Sequence, residues 1–345
     1  MASIHDVAQR SGVSTATVSR ALRGLPNVSP VTRQRVQEAA DALGYIPSPS
    51  ASGLSSGRTG AVAVVVPSLT RWFFTEVVEG VDAALRVEGY DTFLVDLAVR
   101  PGERERLFSH TLLRKRADAV IALGIRFTGA ERSELRSLPV PVAIVGAPLA
   151  GLRGIGVDDA AVSRSAIQHL VDLGHHRIAH VGGHDRFGLD RSVADLRERA
   201  WRAELRDRGL PLLDHWFASG GFLLPQSKAA ALTMLQRPDR PTGVFAGSDE
   251  MAFGVLLAAA ELGIRVPEDL SVVGIDDHSW SAAFHLTTVR QDPHEQGAAA
   301  AAMVLAQLAG TPPPIAPIAA PHELIVRGTT AAAARSRRLP ADRDA

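Results

Sequence analysis

The chain of 345 residues balances 37 Lys and Arg against 37 Asp and Glu and contains no cysteine, which excludes disulfides, thiolate metal sites and cysteine nucleophiles. Its length exceeds one ordinary domain and allows a small unit plus two larger ones of roughly 100 to 150 residues. The charge is polarised: residues 1–58 hold six Arg against three acidic residues, net +3, whereas the remainder holds 31 basic against 34 acidic.

Ile4, Val7 and Ala8 fall at i, i+3 and i+4 and make the apolar stripe of a first short helix, which Ser11-Gly12 breaks. Ser14 is placed to cap a second helix whose stripe is Val18, Ala21 and Leu22, with Val13 beside it in the turn. Thr15, Ala16, Ser19 and Arg20 are left on the outward face, the face a recognition helix lays in the major groove. Ser29-Pro30 opens a third helix with the stripe Val36, Ala39, Ala40 and Leu43, and Gly44 suits its exit. A mildly basic head of this size supplies the salt-dependent attraction to phosphates on which base reading is superimposed, and +3 per chain suggests that two copies act together.

Between Tyr45 and Arg58 the composition turns to Pro, Ser and Gly, which reads as a linker. It is either a passive tether or a conditional helix with Ser48 as cap, Pro49 in the first turn and Leu54 as its one large apolar side chain; Gly53 counts against the helix by about 1 kcal/mol.

From Gly60 apolar β-branched runs alternate with helical periodicity: strand Ala61 to Val66, helix Phe73 to Glu88, strand Thr92 to Leu97, helix Glu103 to Arg114, strands Ala119 to Leu123 and Val142 to Val145. Continuously apolar strands are buried on both faces, so parallel βαβ units are expected. The pattern then restarts: helix Ser163 to Leu173, strand Arg177 to Val181, helix Ser192 to Arg208, strand Gly243 to Phe245, helix Glu250 to Leu262, strand Ser271 to Ile275. Two similar α/β lobes are implied, followed by a helix over Ala298 to Leu308 and a last strand over Glu323 to Val326. The tail from Ala331 to Ala345 has no apolar periodicity and is expected to fray. The start shows no export leader, and the longest apolar segments, Ala61 to Val66 and Gly297 to Ala309, fall short of the ~18 to 20 residues that span a bilayer. A cytoplasmic protein without membrane contact is expected.

In order along the chain stand Ile4-His5-Asp6-Val7-Ala8 with Ser14 to Leu22, Tyr45-Ile46-Pro47, Leu54, Phe73-Phe74-Thr75-Glu76-Val77 with Gly80, and Gly156-Val157-Asp158. His169-Leu170 with Leu173-Gly174-His175, Val244-Phe245-Ala246 with Asp249, Val266-Pro267-Glu268-Asp269-Leu270-Ser271, and Leu286-Thr287-Thr288-Val289 follow. Together these resemble the LacI/GalR family of bacterial transcription regulators from Ile4 to about Thr330. The resemblance implies an all-α helix-turn-helix head (1–47), a hinge helix (48–58), and an α/β body of two lobes resembling periplasmic sugar-binding proteins, with parallel sheets flanked by helices. The first lobe would take 59–158 and 291–321, the second 159–290 and 322–330, with 331–345 a disordered tail. It further implies a homodimeric repressor on pseudo-palindromic double-stranded DNA, controlled by a small sugar or sugar derivative and using no cofactor.

Carried onto this chain, Thr15, Ala16 and Arg20 take base-reading positions, Arg20 foremost because a guanidinium can bond guanine bidentately. Thr17, Ser19, Asn27, Ser29, Thr32 and Tyr45 take positions that resemble phosphate contacts, which set register. Leu54 matches a residue that wedges into the minor groove from paired hinge helices. The sequence departs from the pattern around it, with Ser48 in place of Asn, Ser52 in place of Arg, and Gly53.

For the ligand, the family's positions fall on Phe73 from the first lobe and on Arg197, Trp216, Ser248 and Asp276 from the second. That mixture suits a polyol, Trp216 offering a flat apolar face and Arg197 and Asp276 bonding vicinal hydroxyls. Read without the resemblance, Asp276-Asp277 could cap a helix, Arg197 could be solvated and Trp216 could be core. A family position that is acidic in some sugar-responsive members falls near Gly146 here. The cluster His175, His176, His180 and His184 spans a helix end and a strand, which scatters the side chains, so no metal site is predicted. No nucleotide-binding or nucleophile-elbow motif is present, so no catalytic residue is expected. The alternative function is a sugar-binding transport or sensor protein that uses the two lobes alone.

Overall fold

The computed structural model describes residues 2–22, 24–45, 58–97, 104, 116–147, 149–183 and 191–333. Three helices form the head: α1 (Ile4–Ser11), α2 (Thr15–Leu22) and α3 (Pro30–Leu43). A capping box between Ser3 and Asp6 starts α1, and Gly12 at φ 66 ends it. The Ser14 and Ser29 hydroxyls accept the Thr17 and Thr32 amides at 3.2 and 3.1 Å, opening α2 and α3 where the sequence places their caps. Val7, Ala8, Val18, Ala21, Val36, Ala39 and Ala40 are the buried core of this unit. Arg33 donates to the Ala21 and Leu25 carbonyls at 3.0 and 2.9 Å and so ties the α2–α3 connection to α3. The hinge expectation, Leu54 included, lies outside the described residues.

The body begins where Thr59 and Gly60 donate their amides to the Asp118 carboxylate, 2.7 and 2.9 Å away, which fixes the entry into the first sheet. That sheet is built from β1 (Ala61–Val66), β2 (Asp91–Asp96), β3 (Ala119–Leu123), β4 (Val142–Val145), β5 (Arg153–Gly156) and β11 (Pro317–Ala319). Its order is β11-β5-β4-β3-β1-β2 and every pairing is parallel. Side chains alternate across a strand, and β1 buries both sets: Val62, Val64 and Val66 meet Phe74, Val77, Val81 and Leu85 of α4 (Trp72–Val87), while Ala63 and Val65 join Val120, Ile144 and Leu135 of α5 (Gly129–Ser137). The predicted helix Glu103 to Arg114 lies almost wholly outside the described residues.

Beside α4 on the first face runs α10 (Pro293–Leu308). The two cross at backbone distance, for a Cβ on Gly80 would stand 2.0 Å from the His294 carbonyl oxygen and one on Gly297 2.1 Å from that of Val77. Only glycine fits either position.

The second sheet, ordered β12-β10-β9-β8-β6-β7, comprises β6 (Ile178–Gly182), β7 (Phe217–Ser219), β8 (Gly243–Ala246), β9 (Ser271–Asp276), β10 (Thr287–Arg290) and β12 (Glu323–Ile325). It is parallel except at β10–β12. Helices α6 (Asp159–Asp172), α7 (Arg191–Asp207), α8 (Leu224–Leu235) and α9 (Asp249–Glu261) enclose its core, in which Trp201, Phe245, Phe253 and Leu170 are fully buried. The chain passes between the sheets three times: from β5 into α6, from β10 into α10, and from β11 into β12. The two sheets and their flanking helices are the two α/β lobes the sequence implies.

The tail departs from expectation. Ala331 and Ala333 do not fray: the Ala331 amide donates to Ser271 Oγ at 3.1 Å and the Ala333 amide to the Leu173 carbonyl at 2.8 Å. His175, buried in the second lobe, pairs with Ser271 Oγ at 2.9 Å and helps hold this stretch, an anchor that apolar periodicity does not register. Residues 334–345 lie outside the described residues. No helix among the described residues is long and apolar enough to cross a membrane.

Candidate functional site

In parallel sheets the strand ends that carry the chain into the following helix converge, and the crevice beyond them is where such folds take ligands. Here a cleft of about 460 Å³, its mouth included, lies between the lobes. Its lining follows strand ends one after another: Arg71, Phe73 and Phe74 after β1, Gly124 after β3, Gly146 after β4, Val157 and Asp159 after β5, Ser248 after β8, Asp276 closing β9, and Gln291 after β10. Gly146 has φ 107, where a side chain would strain the backbone. Four of the five ligand positions anticipated from the sequence, Phe73, Arg197, Ser248 and Asp276, line this cleft.

Trp216 does not. It sits in a short 3₁₀ turn before β7, 2 % exposed in the core of the second lobe, with its indole N–H donating to the Asp239 carbonyl at 3.1 Å. The core reading of this residue is the one the structure bears out. The second lobe's aromatic lining residue is Phe222, which follows Gly220-Gly221; a Cβ on Gly183 would come within 2.0 Å of its ring. Trp216→Ala is therefore expected to remove about 3–5 kcal/mol of stability. Urea titration would show that loss, and ligand affinity at low urea would stay near that of the parent.

Charge in the cleft is concentrated on the second lobe. Arg197 donates from Nε to Asp159 Oδ1 at 2.8 Å and from Nη1 to the Gly247 carbonyl, and both members of the ion pair are about 95 % buried. Burial pushes the Asp159 carboxyl above its ordinary range, and Arg197 beside it only partly counters this. Burial likewise pushes Asp276 up to about 6, against the pull of Arg197 and of Gln291, whose Nε2 donates to Asp276 Oδ1 at 2.7 Å. Gln296 of α10 in turn donates to Gln291 Oε1 at 3.1 Å, so one amide chain runs from the cleft carboxylate into the first lobe.

Behind Asp276, Asp249 accepts from Ser281 and Thr288 hydroxyls at 2.6 Å each and from the His278 amide at 2.9 Å. It is held well above the carboxylate range by burial and then by Asp276. The backbone at Asp276 and Asp277 has φ 124 and 57, rare for side-chain-bearing residues, and an Arg327–Asp277 ion pair of 2.6 Å holds the turn.

Contacts between described residues join the lobes at the rim. Arg71 lies over the Phe74 and Phe222 rings, at 4.7 and 4.0 Å from their centroids, so a guanidinium of the first lobe caps an aromatic of the second. Trp72 stacks obliquely on His278 at 4.6 Å, and Arg126 reaches Asp195 at 3.5 Å. Glu250, near Arg71, is pushed up to about 7 by burial despite that neighbour.

In the head, Ala16 and Arg20 are one turn apart and both exposed, and Thr15, Thr17 and Ser19 are half-buried. Arg20 gives one of its five donors to the Pro26 carbonyl at 3.3 Å. The Thr17 and Thr32 hydroxyls bond the cap hydroxyls of Ser14 and Ser29 at 2.9 and 2.8 Å, which orients them at the starts of α2 and α3. Asn27 adopts φ 68, a conformation its short amide tolerates. Tyr45 packs half-buried against the head core. Among the described residues no group of three or more His, Asp or Glu is placed to hold a metal. His175 bonds Ser271, whereas His180 lies stacked on Phe245 at 4.7 Å; His184 lies outside the described residues.

The head, residues 3–48, matches the model for bacterial regulatory proteins of the lacI family, and residues 167–330 match that for a periplasmic binding protein-like domain. The HTH-type transcriptional repressor CytR of Escherichia coli is 33 % identical over 96 % of this chain and 97 % of its own length. Catabolite control protein A of Priestia megaterium is 32 % identical over 86 % of this chain and 90 % of its own. Among solved structures, the lac repressor dimer bound to operator and the anti-inducer ONPF superposes with a TM-score of 0.84 at 26 % identity, covering 96 % of this chain and 99 % of that one. The transcriptional regulator CelR in complex with cellobiose does so with a TM-score of 0.69 at 29 % identity, covering 95 % of this chain and all of that one.

Proposed function

The chain belongs to the lacI family of bacterial regulatory proteins, and from that premise we propose that it is a homodimeric repressor whose grip on a pseudo-palindromic operator is set by a sugar-like effector in the cleft between its lobes. The observation that carries this reading is the joining, in one chain, of a capped three-helix head exposing Arg20 to a body whose polar cleft is lined from both lobes. The unit boundaries follow as proposals: head 1–47, hinge 48–58, first lobe 59–158 with 291–321, second lobe 159–290 with 322–330.

Thr15, Ala16 and Arg20 read bases, while Thr17, Ser19, Asn27, Ser29, Thr32 and Tyr45 meet phosphates, and Leu54 enters the minor groove. Phe73, Arg197, Ser248 and Asp276 meet the effector, joined by Asp159, Phe222 and Gln291. The exposed rings of Trp280 and Phe284, packed about Phe253, support pairing with a second copy. The effector changes operator affinity only by as much as it prefers one arrangement of the lobes, a coupling of about 1–3 kcal/mol. Relatives that act as repressors give no support to an enzymatic role, and the head counts against a transport protein built from the lobes alone.

The test is a gel shift on the gene's own upstream region with and without a panel of sugars. Arg20→Ala is expected to relax preference at one position of each half-site, by about 1–3 kcal/mol of discrimination. Unchanged sequence preference in a randomised-operator selection would reject its base-reading role.

A further inference from the structure

Helix α4 of the first lobe starts without help from its own lobe. Its N-cap residue, Arg71, makes no side-chain cap bond, and its first turn carries no acidic residue. A helix start has amides without intrahelical partners and a partial positive charge, which an acceptor or an anion satisfies. Here the acceptor comes from the second lobe. The Trp72 amide donates to the carboxyl group of Glu250, which stands in the first turn of α9 with the Arg71 charge nearby. Two helix starts, one from each lobe, thus meet at one acidic side chain. The neighbouring rim contacts join the same two segments: the Arg71 guanidinium covers the Phe222 ring at 4.0 Å, and the Trp72 ring meets His278 at 4.6 Å. Both receiving rings are held in place. Phe222, at φ 55, lies hard against Gly183, and the His278 amide donates to Asp249 at 2.9 Å.

We propose that Glu250 is a positioning residue: it caps α4 from the opposite lobe and, with Phe222 and His278, clasps the lobes together at the rim, setting how readily the cleft opens. Glu250 does not line the cleft and acts through Arg71, which does. The groups that set its ionisation are Arg71 from α4 and Asp276 from β9, while burial keeps His278, the partner of Trp72, below the ordinary histidine range. Burial raises the Glu250 carboxyl to about 7, so near neutrality acid and carboxylate are both present, and each form keeps an oxygen that accepts the Trp72 amide. The cap therefore does not depend on full ionisation. Resting on the effector reading above, the same clasp governs how fast an effector enters and leaves.

The test needs neither effector nor operator. Backbone hydrogen exchange on peptic fragments of the full-length protein compares the parent with Glu250→Ala and Glu250→Gln. In Glu250→Ala, fragments spanning 69–77 of the first lobe should lose about fivefold in protection, the effect of a lost helix cap, while β1 and β3 keep theirs. Glu250→Gln retains an accepting oxygen and should recover most of that protection. Opening is read separately. The chain has no cysteine, so Val193→Cys places a lone thiol on the cleft lining. Its reaction with a disulfide reagent should quicken by a similar factor beside Glu250→Ala and hardly at all beside Glu250→Gln. Unchanged protection at the start of α4, loosening confined to α9, or loosening spread evenly over both lobes overturns the cap, and an unchanged thiol rate overturns the clasp. A sugar panel that leaves operator binding unaltered would refute the effector reading and leave these results standing.

Discussion

Replacing Arg197 with methionine is expected to destabilise the protein by about 3–5 kcal/mol at pH 7.5, because it leaves Asp159 buried without its partner. The Gly247 carbonyl loses its donor in the same step. The cost should shrink as the pH falls, since burial already raises the Asp159 carboxyl and loss of the guanidinium raises it further, so that acid restores a neutral side chain. The double variant Asp159→Leu with Arg197→Met removes both charges and should recover most of the stability, as buried pairs exchanged for apolar side chains commonly do. It should not recover effector binding. Urea denaturation of the three proteins, with effector calorimetry on the double variant, separates the two roles. A single variant as stable as the parent would mean that the pair is solvated in solution.

The two-lobe layout was legible because its strands are continuously apolar: Ala61–Val66 and Ala119–Leu123 are strands at the positions where composition places them. The caps of the head were legible from Ser14, Ser29, Pro30 and Gly44, each of which has a local reason to stand at a helix end. What escaped is what local pattern does not encode. Arg-Gly-Ile-Gly makes β5 because β4 and β11 flank it, and a Cβ on Gly154 would stand 2.8 Å from the Ile144 carbonyl oxygen. The three-residue strands β7 and β11 are too short to show a period. Helix α8 spreads its apolar residues around its circumference, so no stripe marks it.

Of the ligand positions expected from the sequence, Phe73, Arg197, Ser248 and Asp276 line the cleft, whereas Trp216 lies in the core of the second lobe. Composition does not distinguish an aromatic that lines a cleft from one that fills a core. Phe222 had a faint signal in the Gly220-Gly221 turn before it, and Gln291 had one in its place directly after the Thr287–Arg290 strand, once that strand is known.

Asp276→Asn is expected to raise stability and to abolish the effector response together. Its carboxyl is held at about 6 in the folded protein, above the 3.8 of an unperturbed Asp, so the native state binds the proton more tightly than the unfolded chain does. The stability this confers is fully present below about pH 4 and is lost as the pH rises through 6. At neutral pH the parent therefore carries an ionised, buried carboxylate beside Asp249, and asparagine, isosteric with the neutral acid, removes that burden. The gain should be on the order of 3 kcal/mol at pH 7.5 and should fade to nothing near pH 4. Thermal melts of both proteins across that range measure it, and a variant less stable than the parent at pH 7.5 would refute the account. On the proposal that Asp276 meets effector hydroxyls, effector affinity of the parent should fall between pH 7.5 and 5.5, because protonation turns an acceptor oxygen into a donor. Under the proposed effector role, a carboxylate kept at a cost in stability, on a backbone turn at φ 124, is what a binding site retains when the charge itself is needed.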